Sequence, residues 1–510
     1  MTPRLSSPGP SRRSVLAGGL GAGTLLALAA CRPPSEQPTG SASGFQIPDP
    51  ASPLPEGDVT IRLMDSGDTK VPYWQQLLAA YSEKHPNVTN EYDGLPWEQI
   101  DELVPLGVRN GTLHDVFQLA PGSALHSQAI SEGWVQPLDD IMPNFDEWKA
   151  QYPEGQLVEG IHMFDGKTYC LPSTADMRYE ICLMYSRQLM NDAGYDPEEA
   201  PLSWDEYRDA ARRITQAGDG QVYGIVLEGA QTARLEAYIN GFANQLGAFG
   251  SDPRTGEIDY TTDGWMQSFE LLQALLADGS IFPGSTSLQA PQAWPRVPSG
   301  SAGMVTAGPW VITLWENDSP DFEFGVGAHP RPEADAVPLG LPLGRGNDAM
   351  FVYAETEVPE FVGDLLAYHG SPDAAEQWGR IVGPGSPPPF PDVVAALADE
   401  WTDAGNRSVE LAEGLVLLPN AIIKNPNVAR ANQEMPPLTP SLGEIVAGVM
   451  DGSITDVRPA LQDLTDRARR QREDGVAAAQ QAGVEVELSD WEFPNYVPGE
   501  SYTPEKYDEL

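Results

Sequence analysis

Side chains able to do chemistry are plentiful in this 510-residue chain, but they do not fall into catalytic spacings. The six histidines, His85, His114, His126, His162, His329 and His369, include no His-Glu-x-x-His and no close pair suited to zinc. No Gly-x-Ser-x-Gly elbow is present. Gly166-Lys167-Thr168 has the ending of a phosphate-binding loop, yet Ile161 stands where the first glycine is required, so a turn before a strand is the simpler reading. The 74 acidic residues could hide a glycosidase pair, which needs two carboxyls only about 5–10 Å apart in space, but no pair stands out from the rest. Four Asn-x-Ser/Thr sequences, at Asn87, Asn110, Asn317 and Asn406, read as chance occurrences. Neither a cofactor nor a metal is expected.

The elements that must position any site alternate. Asp58 to Met64 reads as a buried strand, and Trp74, Leu77, Leu78 and Tyr81 follow at helical spacing. Val88 to Tyr92, a helix from Trp97 to Val108, a strand over His114 to Leu119 and a helix over Ser123 to Glu132 continue the pattern, which implies parallel βαβ units with helices on both sheet faces. Two strand-like runs follow, Lys167 to Pro172 and Tyr179 to Tyr185, carrying Cys170 and Cys182. In a compartment that permits disulfides these cysteines can pair or remain buried thiols, and spacing leaves both open.

Further on come helices at Arg187 to Ala193 and Ser203 to Thr215, the latter with a Ser203/Glu206 capping box. A strand at Val222 to Leu227 precedes a helix from Thr232, and Trp265, Phe269, Leu272 and Leu276 mark another. Gly303 to Thr306 and Ala349 to Tyr353 read as strands, Pro309-Trp310 as a helix start, and Pro359 to Ile381 as two helices. The last hundred or so residues are mostly helical and end in an aromatic tail (Trp491, Phe493, Tyr496, Tyr502, Tyr507) expected to pack on a lobe.

Charge narrows the partners. With 30 Lys+Arg against 74 Asp+Glu the net charge is −44, which repels phosphate backbones and anionic headgroups and excludes nucleic-acid binding. Such a surface otherwise serves solubility, and a monomer is expected. The length allows two to four domains at about 150 residues each. The N-terminus reads as an export signal: Arg4, Arg12 and Arg13 precede an apolar run, Ser14 to Ala30, too short for a span of about 20 residues. Residues 32–57, rich in Pro, Ser and Gly, then read as a flexible tether.

Several segments resemble known motifs. Leu28-Ala29-Ala30-Cys31 resembles a bacterial lipobox, whose cysteine is lipidated, and Ser11-Arg12-Arg13-Ser14-Val15-Leu16 resembles a twin-arginine signal with Val15 in place of the commoner Phe. Gly111 to Phe117 resembles a Gly-x-x-Pro-Asp-Val turn, with His114 replacing Pro. Gly133-Trp134-Val135-Gln136-Pro137-Leu138-Asp139, Asp165-Gly166-Lys167-Thr168-Tyr169, Ala193-Gly194-Tyr195-Asp196-Pro197, Ser203-Trp204 and Gly308-Pro309-Trp310 follow in order. In that order they resemble the sugar-type (family 1) extracellular solute-binding proteins of bacterial ABC importers, over nearly all of Asp58 to Pro389. Ser186 departs from the Tyr-Asn-Lys pattern usual there.

The resemblance implies an α/β, two-lobed periplasmic-binding-protein-like fold with crossover hinge strands. Residues 58–172 would be mainly lobe 1, 173–345 mainly lobe 2, and 346–510 a helical part returning across both. It implies no enzyme but a lipoprotein anchored outside the cell membrane through Cys31, which closes on a mono- or oligosaccharide and delivers it to ABC permease subunits. Polyol, glycerophosphodiester or peptide binding, or a secreted glycoside hydrolase, are the alternatives.

In such a cleft, ligands lie beyond strand ends. Asp65 and Ser66 follow the first strand and Gln118 ends the third, as hydroxyl partners or, alternatively, turn and cap groups. Asp176 and Arg178 fall on the crossover, facing ligand or pairing the lobes. Glu228 ends a lobe 2 strand, and Asn240 with Tyr238 resembles an aromatic-x-Asn-Gly element. Trp310 is the candidate stacking ring. Gly344, Arg345, Gly346 and Asn347 form a glycine-rich loop, from which Arg345 and Asn347 could reach ligand.

Overall fold

The computed structural model describes residues 44–120, 125–153, 155–333, 336–342 and 348–510. Cys31 and the export signal, together with Gly344, Arg345, Gly346 and Asn347, lie outside the described residues.

Two mixed sheets organise the fold. We number the strands β1 (Val59–Asp65), β2 (Val88–Gly94), β3 (Val116–Gln118), β4 (Cys170–Pro172), β5 (Cys182–Ser186), β6 (Tyr223–Ile225), β7 (Ala302–Ala307), β8 (Phe324–Gly327), β9 (Gly340–Pro342), β10 (Ala349–Val352) and β11 (Val416–Leu418). The first sheet has the order β2-β1-β3-β10-β4 and the second β8-β5-β7-β6, with β9 and β11 paired apart from both. The parallel βαβ expectation holds for β2-β1-β3 and for β6-β7. Strand β10 is antiparallel to both β3 and β4, and β5 is antiparallel to β7 and β8. The chain leaves lobe 1 after β4, builds the second sheet, and returns through β10 to the first, so the segments flanking β4 and β10 form the hinge.

Each sheet carries its own core. In lobe 1 the apolar stripe of helix Val71–Lys84 (Trp74, Leu77, Leu78, Tyr81) packs with Ile61, Leu63, Phe361, Leu365 and Trp378. In lobe 2, Leu183, Tyr207, Phe242, Trp265, Phe269 and Leu461 pack together. The capping box of helix Trp204–Ala217 is formed, Ser203 accepting from the Glu206 N–H and Glu206 from Ser203. Cys170 and Cys182 sit in different sheets as free, buried thiols.

Residues 44–57, expected to belong to the tether, instead start the folded body. Phe45 is buried edge-on against Tyr73 at 5.3 Å, and the Gln46 N–H donates to the Tyr368 hydroxyl. An aromatic side chain this large gains more from burial in lobe 1 than a Pro- and Gly-rich composition suggests. At the other end Phe493, Tyr496 and Tyr502 are buried, with Trp491 and Tyr507 packed against them. Among the described residues no helix is long and apolar enough to cross a membrane.

Candidate functional site

Because β1 and β3 run parallel, their carboxyl ends meet at one edge, and three polar residues converge there. Asp65 closes β1 fully buried; one carboxylate oxygen accepts from the Tyr92 hydroxyl (2.6 Å) and the Gly67 N–H (2.8 Å). Gln118 closes β3, and its side-chain carbonyl accepts from the Ser66 N–H at 3.1 Å. The turn depends on Gly67, whose φ of 69° belongs to the left-handed region and at which a Cβ would sit only 3.2 Å from Gly94 Cα. Among the described residues, Asp65 Oδ2, Ser66 Oγ and Gln118 Nε2 are buried without a partner. Buried polar groups are nearly always satisfied, so one donor, one acceptor and one hydroxyl side by side form a set suited to a hydroxylated ligand. Burial pushes the Asp65 carboxyl up to about 6, against the opposing pull of Lys70 and the Tyr92 hydrogen bond.

The hinge beside this edge is charged. Asp348 meets Lys70 Nζ at 3.3 Å and Arg178 Nη1 at 3.5 Å, and also accepts from Thr174. Burial opposes its charge, but the two cations outweigh that and hold the carboxyl below its ordinary value. Arg178 spends Nε and Nη2 on Glu180 (3.1 and 2.7 Å) and Nη1 also on Ser386. A lone buried charge here would be costly, and the alternation Lys70, Asp348, Arg178, Glu180 removes most of that cost.

Trp310 opens helix Trp310–Asp318 directly after β7, and a Cβ on Gly308 would collide with its ring. Two guanidinium groups lie over the indole, Arg178 at 5.2 Å and Arg234 at 4.8 Å. Arg234 starts helix Thr232–Asn244, and its charge helps hold the buried Glu228 carboxyl against the upward push of burial. Glu228 accepts from the Trp294 indole N–H at 2.7 Å.

The structure thus brings Asp65, Ser66 and Gln118 into one cluster and places Arg178 on Trp310, with Glu228 joined through Arg234. The interlobe pairing alternative for Arg178 is realised in its contact with Asp348, while Glu180 meets it from two residues along the same crossover. Asp176 is buried in the crossover, and Asn240 is half-buried on helix Thr232–Asn244. Sequence reasoning missed Lys70, Asp348, Glu180, Trp294 and Arg234. Arg234 had a signal, since it falls in the first turn of a helix already placed after Glu228; Lys70 and Asp348 had none, because their pairing crosses the whole of lobe 2.

The family model of the bacterial extracellular solute-binding proteins matches residues 67–376. A binding protein of Brucella abortus (strain 2308) is 25% identical over 293 residues, 57% of this chain and 67% of that protein. The sn-glycerol-3-phosphate-binding periplasmic protein UgpB of Escherichia coli (strain K12) is 23% identical over 275 residues, 52% of this chain and 59% of the relative. Among solved structures, the GacH receptor of Streptomyces glaucescens GLA.O, described unliganded and with acarbose, superposes with a TM-score of 0.64 at 17% identity over 82% of this chain and 100% of its own. A tagatose-bound ABC transporter solute-binding protein of Thermotoga lettingae TMO gives 0.61 at 18% identity, with the same coverage of both chains. These likenesses show a common two-lobed fold.

Proposed function

The chain belongs to the bacterial extracellular solute-binding proteins, and from that premise we propose that it captures a carbohydrate between its lobes and delivers it to the permease of an ABC transporter. The observation that carries the reading is the set of orphaned atoms, Asp65 Oδ2, Ser66 Oγ and Gln118 Nε2, beside a hinge that leads to the Trp310 ring. A sugar ring supplies hydroxyls that both donate and accept, and a C–H face that packs on an indole. Ligand then stabilises closure by the difference in its affinity for the closed and open arrangements. The solved relatives named with acarbose and tagatose support the class, not the individual sugar.

Lipidation at Cys31, export through a twin-arginine route, a monomeric state and binding without turnover complete the proposal. A second reading, a phosphorylated polyol, is favoured by one observation: the Arg234 guanidinium makes no hydrogen bond to described residues and lies over Trp310 beside Arg178. Guanidinium pairs are the usual receptors for phosphate oxygens.

The test is thermal-shift titration of the mature protein with monosaccharides, oligosaccharides, polyols, glycerol-3-phosphate and peptides. A ligand at about 100 times its Kd adds about 2.7 kcal/mol. Saturable stabilisation by one sugar class, with the sugar recovered intact, is expected. A shift with glycerol-3-phosphate and none with any sugar would replace the carbohydrate by the second reading.

A further inference from the structure

A cavity of about 930 Å³ lies against the crossover that follows β4, lined there by Ala175, Met177 and Tyr179. One wall belongs to lobe 1: Pro387, Pro388 and Pro389 line the cavity and lead into helix Pro391–Leu397, which lines it with Val394 and whose Val393 packs with Phe390 on the lobe 1 core. The other belongs to lobe 2: helix Asp403–Glu413 lines it with Asn406 and Arg407 and shares, through Ala404 and Leu411, the core that holds Met184 and Val305 of the second sheet. The chain passes between the two walls over 398–402, where Trp401 lines the cavity with its indole N–H held by the Gly379 carbonyl at 2.9 Å. The volume falls within the range of small-molecule sites, roughly 300–1,000 Å³.

This cavity belongs to the hinge and not to the cluster at the strand ends. The Ala175 N–H donates to the Pro387 carbonyl (2.8 Å) and Arg178 Nη1 to Ser386 Oγ (3.2 Å), which ties the crossover to the proline segment. Three consecutive prolines have φ fixed by their rings, so that wall keeps its shape without an occupant. Asp65, Ser66, Gln118 and Trp310 do not line the cavity; Arg178 does, and the same guanidinium lies over the Trp310 ring at 5.2 Å. With a wall on each lobe, the cavity changes width whenever the angle between the lobes changes.

Its chemistry is unlike that of a sugar site. The apolar lining is made of Pro, Val, Ala, Met and Trp side chains, and five of the seven charged lining residues are acidic. Both arginines are already paired, Arg178 with Asp348 and Glu180 and Arg407 with Glu410 (3.0 Å), and Glu198 is taken by Arg187. Asp399, Asp403 and Glu413 are exposed and form no ion pair among the described residues. An apolar pocket with an indole in its wall and unpaired carboxylates in its lining favours a flat apolar group that carries a positive charge. An anion meets uncompensated carboxylates there, and a polyol leaves hydroxyls against proline rings without a partner.

We infer that this cavity is a second ligand site, which takes an organic ammonium ion with an aromatic body and, by bridging helices Pro391–Leu397 and Asp403–Glu413, biases the angle between the lobes. The inference goes beyond the carbohydrate reading and stands whichever solute the protein captures. A cation that fits one lobe angle better than another shifts the hinge by that difference in affinity, and linkage makes its effect on a solute held between the lobes reciprocal.

The experiment is calorimetric titration of the mature protein with tryptamine, its neutral analogue tryptophol, its anionic analogue indole-3-acetate, and methylamine, which has the charge without the ring, joined to solution X-ray scattering. Two variants accompany it. Asp399→Asn/Asp403→Asn removes two exposed charges and keeps the shape, and Val394→Trp fills the cavity from a half-buried position on a helix. Tryptamine is expected to saturate one site, at least tenfold tighter than tryptophol or methylamine and with no heat from indole-3-acetate, and to shift the radius of gyration. The double variant should lose fivefold or more in tryptamine affinity and Val394→Trp should abolish it, both melting as folded proteins. No saturation by tryptamine, equal affinity for tryptamine and either tryptophol or methylamine, or wild-type affinity in both variants overturns the site. Binding with an unchanged radius of gyration overturns its hold on the hinge.

Discussion

Asp65→Asn separates what the site costs the protein from what it gives the ligand. Raising the carboxyl from its ordinary 3.8 to about 6 penalises its ionised form by about 3 kcal/mol in the folded state. Since the folded value lies above the unfolded one, the stability tied to the neutral acid is complete below pH 3.8 and is lost as pH rises through about 6. Asparagine keeps the acceptor for Tyr92 and Gly67 and removes the charge, but its amide N–H groups meet the same lack of partners as Oδ2, at about 1 kcal/mol or more. The variant should therefore be more stable than wild type by about 1–2 kcal/mol at pH 7.5 and not at all at pH 4. For a chain of this size that is roughly 1–2 °C in Tm, readable by calorimetry at pH 4, 6 and 7.5. Sugar affinity should fall about 10- to 100-fold at pH 7.5, the worth of a hydroxyl bond to a carboxylate. An Asn variant no more stable at pH 7.5 than at pH 4, relative to wild type, refutes the strained-carboxylate argument; unchanged sugar affinity refutes the ligand role.

The hinge gives a prediction of opposite sign. Arg178→Leu removes one of the two cations that hold the buried Asp348 carboxylate among the described residues and the guanidinium that meets Glu180, so urea denaturation should show a loss of about 3–5 kcal/mol, which Arg178→Lys restores only in part. Gly308→Ala drives a methyl into the Trp310 ring and should weaken ligand binding at least tenfold by titration, for a stability loss of about 1–3 kcal/mol; wild-type affinity would remove Trp310 from the site. Cys170 and Cys182 are free and buried, the Cys182 thiol pushed up to about 12 and the Cys170 thiol still higher, so a thiol reagent at pH 8 should label neither of these two in the native protein and both after unfolding. Finally, association of a neutral sugar should change less than twofold between low and physiological salt in stopped-flow fluorescence, whereas an anionic ligand approaching a chain of net charge −44 would associate faster as salt rises.

What could be read from the sequence follows from distance along the chain. Asp65, Ser66 and Gln118 were legible because a strand's end is visible in its apolar pattern, and the cluster needs nothing but two parallel neighbours to form. Alternation reveals that a strand exists and not its direction, so β10 and β5 were found as strands while their antiparallel pairing was left open. The burial of Phe45 was masked by the Pro, Ser and Gly around it, which describe the segment's flexibility when free and not the aromatic pocket in lobe 1 that receives it. Arg178 and Asp348 stand 170 residues apart, and no local pattern joins them. Only the return of the chain through β10 makes them neighbours, which is why the electrostatics of the hinge had to wait for the fold.

Charge also bears on the choice between ligand classes. With 30 cationic side chains in 510 residues, three of them, Lys70, Arg178 and Arg234, converge on the hinge and Trp310. Two of those three are already committed, Lys70 to Asp348 and Arg178 to Asp348 and Glu180, so their positive charge is largely cancelled where a ligand would meet it. Arg234 remains, shared with Glu228. One half-neutralised guanidinium recognises a hydroxyl or the face of a sugar through its hydrogen-bond donors as well as it recognises an anion, and it does not offset the desolvation of a doubly charged phosphate. The orphaned atoms point the same way: Asp65 Oδ2 repels an anion and accepts a hydroxyl, while Gln118 Nε2 donates to one. A neutral polyhydroxylated ring satisfies both without leaving a buried charge unpaired.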